Sequence, residues 1–166
     1  MSVATGASSK IYIATTSGTT NPANQAAYEA LTWVEVEQTE SIGEFGDSQA
    51  AVTFTGLGDA RVQKLKGSSD AGTLSVTMAY NELADGSPTT GQYLLAVANA
   101  DTTPANYRFK ITFNDASTGS PLGDPTTHYF AGQVGTFVLG VPGADDIIRV
   151  SSEIRINSSI IRVYRT

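Results

Sequence analysis

Cysteine is missing from all 166 residues, which removes disulfide staples, thiolate metal sites and thiol nucleophiles together. Histidine occurs once, as His128, and tryptophan once, as Trp33. A metal or catalytic centre built on imidazole would therefore have one ring and carboxylates to work with. Long apolar runs are absent too; none approaches the roughly twenty residues needed to span a bilayer as a helix. The opening residues, MSVATGASSKIYIATT, lack the basic region and apolar core of a signal peptide. The expectation is a soluble protein without membrane association, and a chain of this length forms one domain with its own core.

Bases are scarce, with ten lysines and arginines against sixteen acids and a formal charge of −6. That balance argues against a protein that grips phosphate backbones. The charges are unevenly spread. Residues 1–60 hold seven acids and one base, whereas residues 147–166 hold four arginines and only Glu153. Such a polar molecule can set its acidic end against the basic end of the next copy, the head-to-tail contact that builds rings and filaments.

Motifs for chemistry are missing in the same way. Gly56-Leu57-Gly58 lacks the third glycine and the apolar helix of a dinucleotide fingerprint. No phosphate-loop lysine, nucleophile elbow or HExxH is present. Asp145 and Asp146 share a turn but read as solvated carboxylates, and His128 reads as a structural ring. Glu35 and Glu37 share a strand face with no apolar pocket to raise either pKa. The expectation is a protein that is not an enzyme and carries no cofactor or metal.

What is present is alternation. Ile11 and Ile13 mark a strand over Lys10–Thr16. Pro22 opens a short alanine-rich helix that runs to Ala30. Leu31–Thr39 alternates with Val34 and Val36 inward and Trp33, Glu35 and Glu37 outward. Ala50–Thr55 and Thr73–Tyr80 alternate again. Between them, Gly56–Gly72 is glycine-rich, reads as neither strand nor helix, and carries the basic cluster Arg61, Lys64 and Lys66. Hairpin loops are usually two to five residues, so an arm this long has a function. Thr89–Gln92 fits a capping box opening a helix to Asn99 that buries Leu94, Leu95, Val97 and Ala98. Tyr107–Phe113 places Tyr107, Phe109, Ile111 and Phe113 in the core and Arg108, Lys110 and Thr112 outside. Thr126–Leu139 is a long strand bent at Gly132 and Gly135, followed by Ile148–Ile156 and a last short strand over Ile160–Arg165. The fold class is mostly β, a sandwich or small barrel of about eight strands with one flanking helix and a long arm between two central strands.

The order of these features resembles the tail tube (major tail) proteins of long-tailed bacteriophages and gene transfer agents, from roughly Lys10 to Ile156. Its most specific parts are SIGEFG at Ser41–Gly46, the end of the arm from Lys66-Gly67 to Asp70-Ala71-Gly72, and GQYLLAVANA at Gly91–Ala100. The resemblance implies hexameric rings whose inner strands join into one barrel, with the rings stacked into a hollow tube that carries DNA from capsid to host. It implies a tail tip, a tape-measure protein and a tail terminator as partners, residence in the virion tail, and assembly in the host cytoplasm. Arg61, Lys64, Lys66 and Asp70 of the arm would then contact a neighbouring subunit. Glu35, Glu37, Glu40 and Glu44 are the candidate acidic partners, and Thr73, Ser75 and Thr77 the candidate lumen face. An acidic wall would let DNA slide without specific binding. The alternative is a non-catalytic β-sandwich binding module of carbohydrate-binding or adhesin-like type, with Trp33 and the Asp145-Asp146 turn as its site.

Overall fold

The computed structural model describes residues 6–58, 61–81, 90–116 and 123–165. Its body is one mixed-length antiparallel sheet that curls over a single core without closing. The first strand, β1 (Lys10–Gly18), buries Ile11 and Ile13. A short helix, α1 (Gln25–Glu29), follows, with Asn24 at its N-cap accepting a hydrogen bond from the Ala27 N–H at 3.0 Å. Asparagine there satisfies an orphan donor, so the helix begins at this cap and not at Pro22. Strand β2 (Trp33–Glu35) is short because Gln38 takes φ 57° and turns the chain into β3 (Thr39–Ile42). The long alternating strand expected over Leu31–Thr39 is thus broken in two.

Strands β4 (Ser48–Phe54) and β5 (Gln63–Asp70) pair only with each other, as a separate two-stranded ribbon. The body resumes with β6 (Thr73–Ala79), then helix α2 (Gly91–Ala100), β7 (Asn106–Thr112), β8 (Thr127–Gly140), β9 (Arg149–Ile156) and β10 (Ile161–Val163). Ten strands stand among the described residues where about eight were expected, because Leu31–Thr39 is split in two and Gln63–Asp70 is itself a strand.

The long strand β8 organises the body. Its first half pairs with β7 on one side (Thr112↔Thr127 to Tyr107↔Gly132) and with β10 on the other. Its second half pairs with β9 (Gly132↔Ile156 to Gly140↔Arg149). The sheet therefore has two halves, β2–β1–β7–β8–β10 and β8–β9–β6–β3. Gly132 sits at the crossing, where an added Cβ would lie 2.3 Å from the Arg155 carbonyl, so only glycine lets β9 approach. The register shifts at Gly135, a bulge that bends the strand as its glycine suggests.

One hydrophobic cluster joins the halves: Ile11, Ile13, Phe109 and Ile111 from the first, Leu74, Val76, Met78, Val150 and Ile154 from the second. Helix α2 contacts β8 and β1 and adds Leu94, Leu95 and Ala98 to that cluster, while Val97 points outward, contrary to expectation. The capping box is not formed as read. Thr90 stands at the N-cap, Thr89 lies outside the described residues, and the Gln92 amide reaches elsewhere. Its Nε2 donates to the carbonyls of Glu37 (3.0 Å) and Ala79 (2.8 Å), and its Oε1 accepts from the Asn81 N–H (3.1 Å). Arg108, expected outside, is 8% exposed; its guanidinium donates to the Thr16 and Thr20 carbonyls at 3.1 and 2.8 Å and holds down the end of β1.

Candidate assembly surfaces

The arm is a β-ribbon from Ser48 to Asp70, longer than the Gly56–Gly72 stretch that defined it in the sequence. Its N-terminal strand is not a central strand of the body but half of the arm itself. Alternation builds it: Val52 pairs with Leu65 and Phe54 with Gln63 on one face, while Thr53 pairs with Lys64 and Ala51 with Lys66 on the other. Val52 and Phe54 share one side of the alternation, and that side is open: Phe54 is 58% exposed and Leu57 fully so. Every strand residue of the arm except Gly67 is exposed. The ribbon is amphipathic, with an apolar face and a reverse face carrying Lys64 and Lys66. Arg61 lies near the tip, just ahead of β5; Asp59 and Ala60 are outside the described residues. Asp70 serves the root of the arm: its Oδ1 accepts from the Gly72 N–H at 2.9 Å and its carbonyl from the Ser48 hydroxyl at 3.1 Å.

The structure does not bring the four candidate acids together. Glu35 accepts from Lys10 Nζ at 2.9 Å, a hydrogen bond that raises the lysine pKa, and Glu40 accepts from Arg149 Nε at 2.8 Å. Both pairs are surface-exposed, where solvent screening leaves such bridges little net stabilisation. Glu37 is half-buried, with its Oε2 lacking a hydrogen-bond partner. Glu44 is exposed in the link between β3 and the arm.

Thr73, Ser75 and Thr77 point away from the core, as their alternation with Leu74, Val76 and Met78 requires. Across the ladder they meet Arg155, Glu153 and Ser151 of β9, and beyond these lie Gln133, Thr136 and Val138 of β8. These rows of the outer face are rich in hydroxyls and carry one acid, Glu153, and one base, Arg155, with Arg149 a further base on the same side of β9 beside Ala79. The half-sheet also has two open edges among the described residues. β3 pairs with β6 alone, and beyond Gly132 β8 pairs with β9 alone. A groove of about 720 Å³ runs beside β3, lined by Ser8, Ser9, Ile42, Phe45 and Phe113.

Trp33 does not offer an open aromatic platform. Its indole N–H donates to the Tyr28 carbonyl at 3.2 Å, its ring tilts against Tyr129, and Lys110 Nζ lies 5.2 Å from its centroid and 4.2 Å from that of Tyr12. Burial pushes the Lys110 ammonium below its ordinary pKa. Asp146 accepts from Arg149 at 3.1 Å and from the Ile147 N–H at 2.7 Å. His128 stands edge-on to Phe45 and Phe113, with centroids 5.5 and 5.2 Å away, and its Nδ1 is buried without a partner. Burial, with the Arg162 charge beside it, lowers its pKa, while Asp115 opposes that shift. Among the described residues, no group of three or more His, Cys, Asp or Glu side chains is placed to hold a metal ion. Nor is any described helix long and apolar enough to cross a membrane.

Sequence reasoning missed the apolar face of the arm, though Lys64-Leu65-Lys66 already alternates. Alternation sets Val52 and Phe54 on one side of a strand, but it reveals a face and not what covers it.

No family model and no curated protein matches the chain by sequence. Among solved structures, a chain of an extracellular contractile injection system described as the PVC sheath/tube terminator in its extended state is similar at TM-score 0.66 and 10% identity, over 98% of both chains. A chain of the anti-feeding prophage baseplate, six-fold symmetrised, is similar at TM-score 0.62 and 12% identity, over 99% of this chain and 97% of that one. A chain of the PVC sheath–tube complex is similar at 0.59 and 12%, over 94% and 88%. At such identities the likeness is one of fold: this chain has, nearly end to end, the fold found in components of phage-like contractile particles.

Proposed function

We propose that this chain is a structural, non-catalytic subunit of a phage-like tail, which assembles with copies of itself into rings that stack as a hollow tube. The observation that carries the reading is the second half-sheet, open at both edges and polar on its outer face. A sheet with unpaired edges is a template for further pairing. Joining β8 of one copy to β3 of the next removes both edges and closes a ring whose inner wall carries Thr73, Ser75, Thr77, Ser151, Glu153 and Arg155. The same fold in particles whose parts include a tube and a six-fold symmetrised baseplate supports that reading and a ring of six. The named neighbours are contractile particles, whereas the sequence resembles long-tailed phages and gene transfer agents; the tube role is common to both readings.

On this reading the tube is a conduit, and DNA is the cargo that the sequence resemblance implies. A hydroxyl-rich wall leaves phosphates without a row of cations to bind, so the cargo slides. Tail tip, tape-measure and terminator proteins are the partners at its ends and inside it, the mature location is the virion tail, and assembly takes place in the host cytoplasm. The reverse face of the arm, Lys64 and Lys66, meets acids of a neighbour, with exposed Glu44 the best placed of the four candidates.

Negative-stain microscopy of the purified protein at high concentration tests the reading. Rings or tubes are expected; a strictly monomeric protein at all concentrations would sink it. Lys64→Glu with Lys66→Glu should reduce tube formation while leaving a folded monomer, and normal tubes from that variant would remove the two lysines from the contact.

A further inference from the structure

The arm leaves the body and returns to it by two roots of different build. The return root, residues 70–72, is tied by hydrogen bonds. Asp70 Oδ1 accepts from the Gly72 N–H at 2.9 Å, the Gly72 carbonyl accepts from the Ile156 N–H at 3.0 Å, and Ala71 is buried. The outgoing root, residues 43–47, has no regular structure and is tied at its start, where the Gly43 N–H donates to the Ser75 carbonyl at 2.7 Å. Past Gly43 the anchor is a side chain. The Phe45 ring stands edge-on to His128, with centroids 5.5 Å apart, and tilts against Phe130 at 6.2 Å. Phe113 flanks the imidazole as well, at 5.2 Å. Among these rings the His128 Nδ1 is buried without a hydrogen-bond partner. A neutral imidazole can keep a lone pair there, whereas the imidazolium carries an N–H on both nitrogens. A charged donor buried without an acceptor costs far more than a neutral orphan.

We propose that His128 and Phe45 form an acid-released latch on the outgoing root of the arm. The neutral imidazole keeps Phe45 seated, and protonation of the imidazole frees the ring. Arg162, across the β8–β10 ladder from His128, sets a cation beside it, and Asp115, after β7, opposes that charge. Asp115 is itself engaged: its carboxylate accepts from the Thr126 N–H and hydroxyl at 2.7 and 2.6 Å, and its carbonyl accepts from Arg165. On the side of the root, Glu44 and Asp47 flank Phe45 and are exposed, and Glu40 accepts from Arg149. Strands β7 and β1 present Ile111 and Ile11 on this side, while Arg108, Lys110 and Lys10 alternate to the other. The imidazolium is therefore relieved by reaching water, and Phe45 is the wall that gives way. Phe113 follows the last residue of β7, and its N–H donates to the Thr126 carbonyl at 3.0 Å. Phe45 stands between Gly43 and Gly46 in a stretch without strand or helix. Release leaves the arm hinged on its return root, where Gly72 takes φ 73°. The latch belongs to the single chain and does not depend on the tail-subunit reading.

His128 is the one histidine of the chain, so its imidazole resonance in NMR reads the titration directly. Cross-relaxation between ring protons reads the latch, through the contacts of Phe45 with His128 and with Phe130. The stacked pair Phe109 and Phe130, 5.5 Å apart, serves as the control that the body stays folded. Between pH 7.5 and 5, both Phe45 contacts should fade in step with the His128 titration while the control persists. His128→Phe, which keeps a ring and cannot titrate, should hold the contact of Phe45 with Phe130 across that range. Phe45→Ala should raise the His128 pKa toward the ordinary 6.5. The reason is reciprocity: if protonation opens the latch, opening the latch must favour protonation by the same factor. Phe45 contacts that survive full titration of His128, or that fade together with the control, would overturn the latch. So would a His128 pKa that Phe45→Ala leaves unchanged, or a contact with Phe130 that fades equally in His128→Phe. Should His128→Phe fail to fold, the titration of Phe45→Ala, which keeps the imidazole in place, decides the matter by itself.

Discussion

Gln92 holds three backbone segments with one amide: the β2–β3 turn at Glu37, the end of β6 at Ala79 and the chain beyond it at Asn81. It is 1% exposed, so removing the amide takes three hydrogen bonds from part-buried backbone groups. Gln92→Ala should cost about 2–3 kcal/mol in urea denaturation, and a loss below about 0.5 kcal/mol would show that water replaces the amide. Gly91 beside it has no room for a methyl group, since a Cβ would lie 2.3 Å from the Glu35 carbonyl. His128 supplies a pH signature. Its folded pKa lies below the ordinary 6.5 because burial and Arg162 disfavour the imidazolium, so the unfolded chain takes up the proton first. Stability is therefore full above about pH 6.5 and falls as pH drops below it. Asp101, Asp115 and Asp146, all held below 3.8, lose their contribution only in stronger acid. Melting curves between pH 7.5 and 5 should show the decline in the wild type and a flatter profile in His128→Asn; equal slopes would contradict this role.

The arm is an element that owes little to the body. Its strands are exposed on both faces and pair only with each other, and Ala71, just past its root, is the nearest residue in the core cluster. Replacing Gln49–Ser69 with a tight turn, while keeping Ser48 and Asp70, should leave a folded body with nearly unchanged melting and no assembly. A body that unfolds would mean the arm stabilises it in a way the contacts do not reveal. In the intact protein, amides of β4 and β5 should exchange fast in the monomer and slowly in the assembled state, because local stability follows burial. Equal protection in both states would place the arm outside the interface.

At the scale of the whole molecule, the distribution of exposed groups matters more than the net charge of −6. If burial of apolar surface supplies most of the contact, assembly should survive about 0.5 M salt, where screening acts within a few ångströms. Dissolution at that salt, measured by sedimentation, would shift the weight to Arg61, Lys64, Lys66 and the acids. Part of the polarity first read from the two chain ends is satisfied internally, where Arg149 answers Glu40. Lys10 answers Glu35, and Arg149 answers Glu40 and Asp146, within one copy.

Alternation alone determined the mostly-β class, the strands around Ile11, Leu74, Phe109 and Ile154, the helix at Gly91–Ala100, and the outward row Thr73, Ser75 and Thr77. Each depends on a local period of two or 3.6, which the chain carries wherever it folds. The arm was legible as an oversized insertion with a basic cluster, and its boundaries were not. Only tertiary structure decided that Val52 and Phe54 lie outside any core, that Arg108 is buried under the end of β1, and that Gln38 breaks a strand. It also decided that Glu35 and Glu40 have partners within their own chain. In each case the outcome depends on residues distant in sequence, because a periodic face must be covered and only the packed fold determines what covers it. For the arm, the fold leaves its apolar face bare.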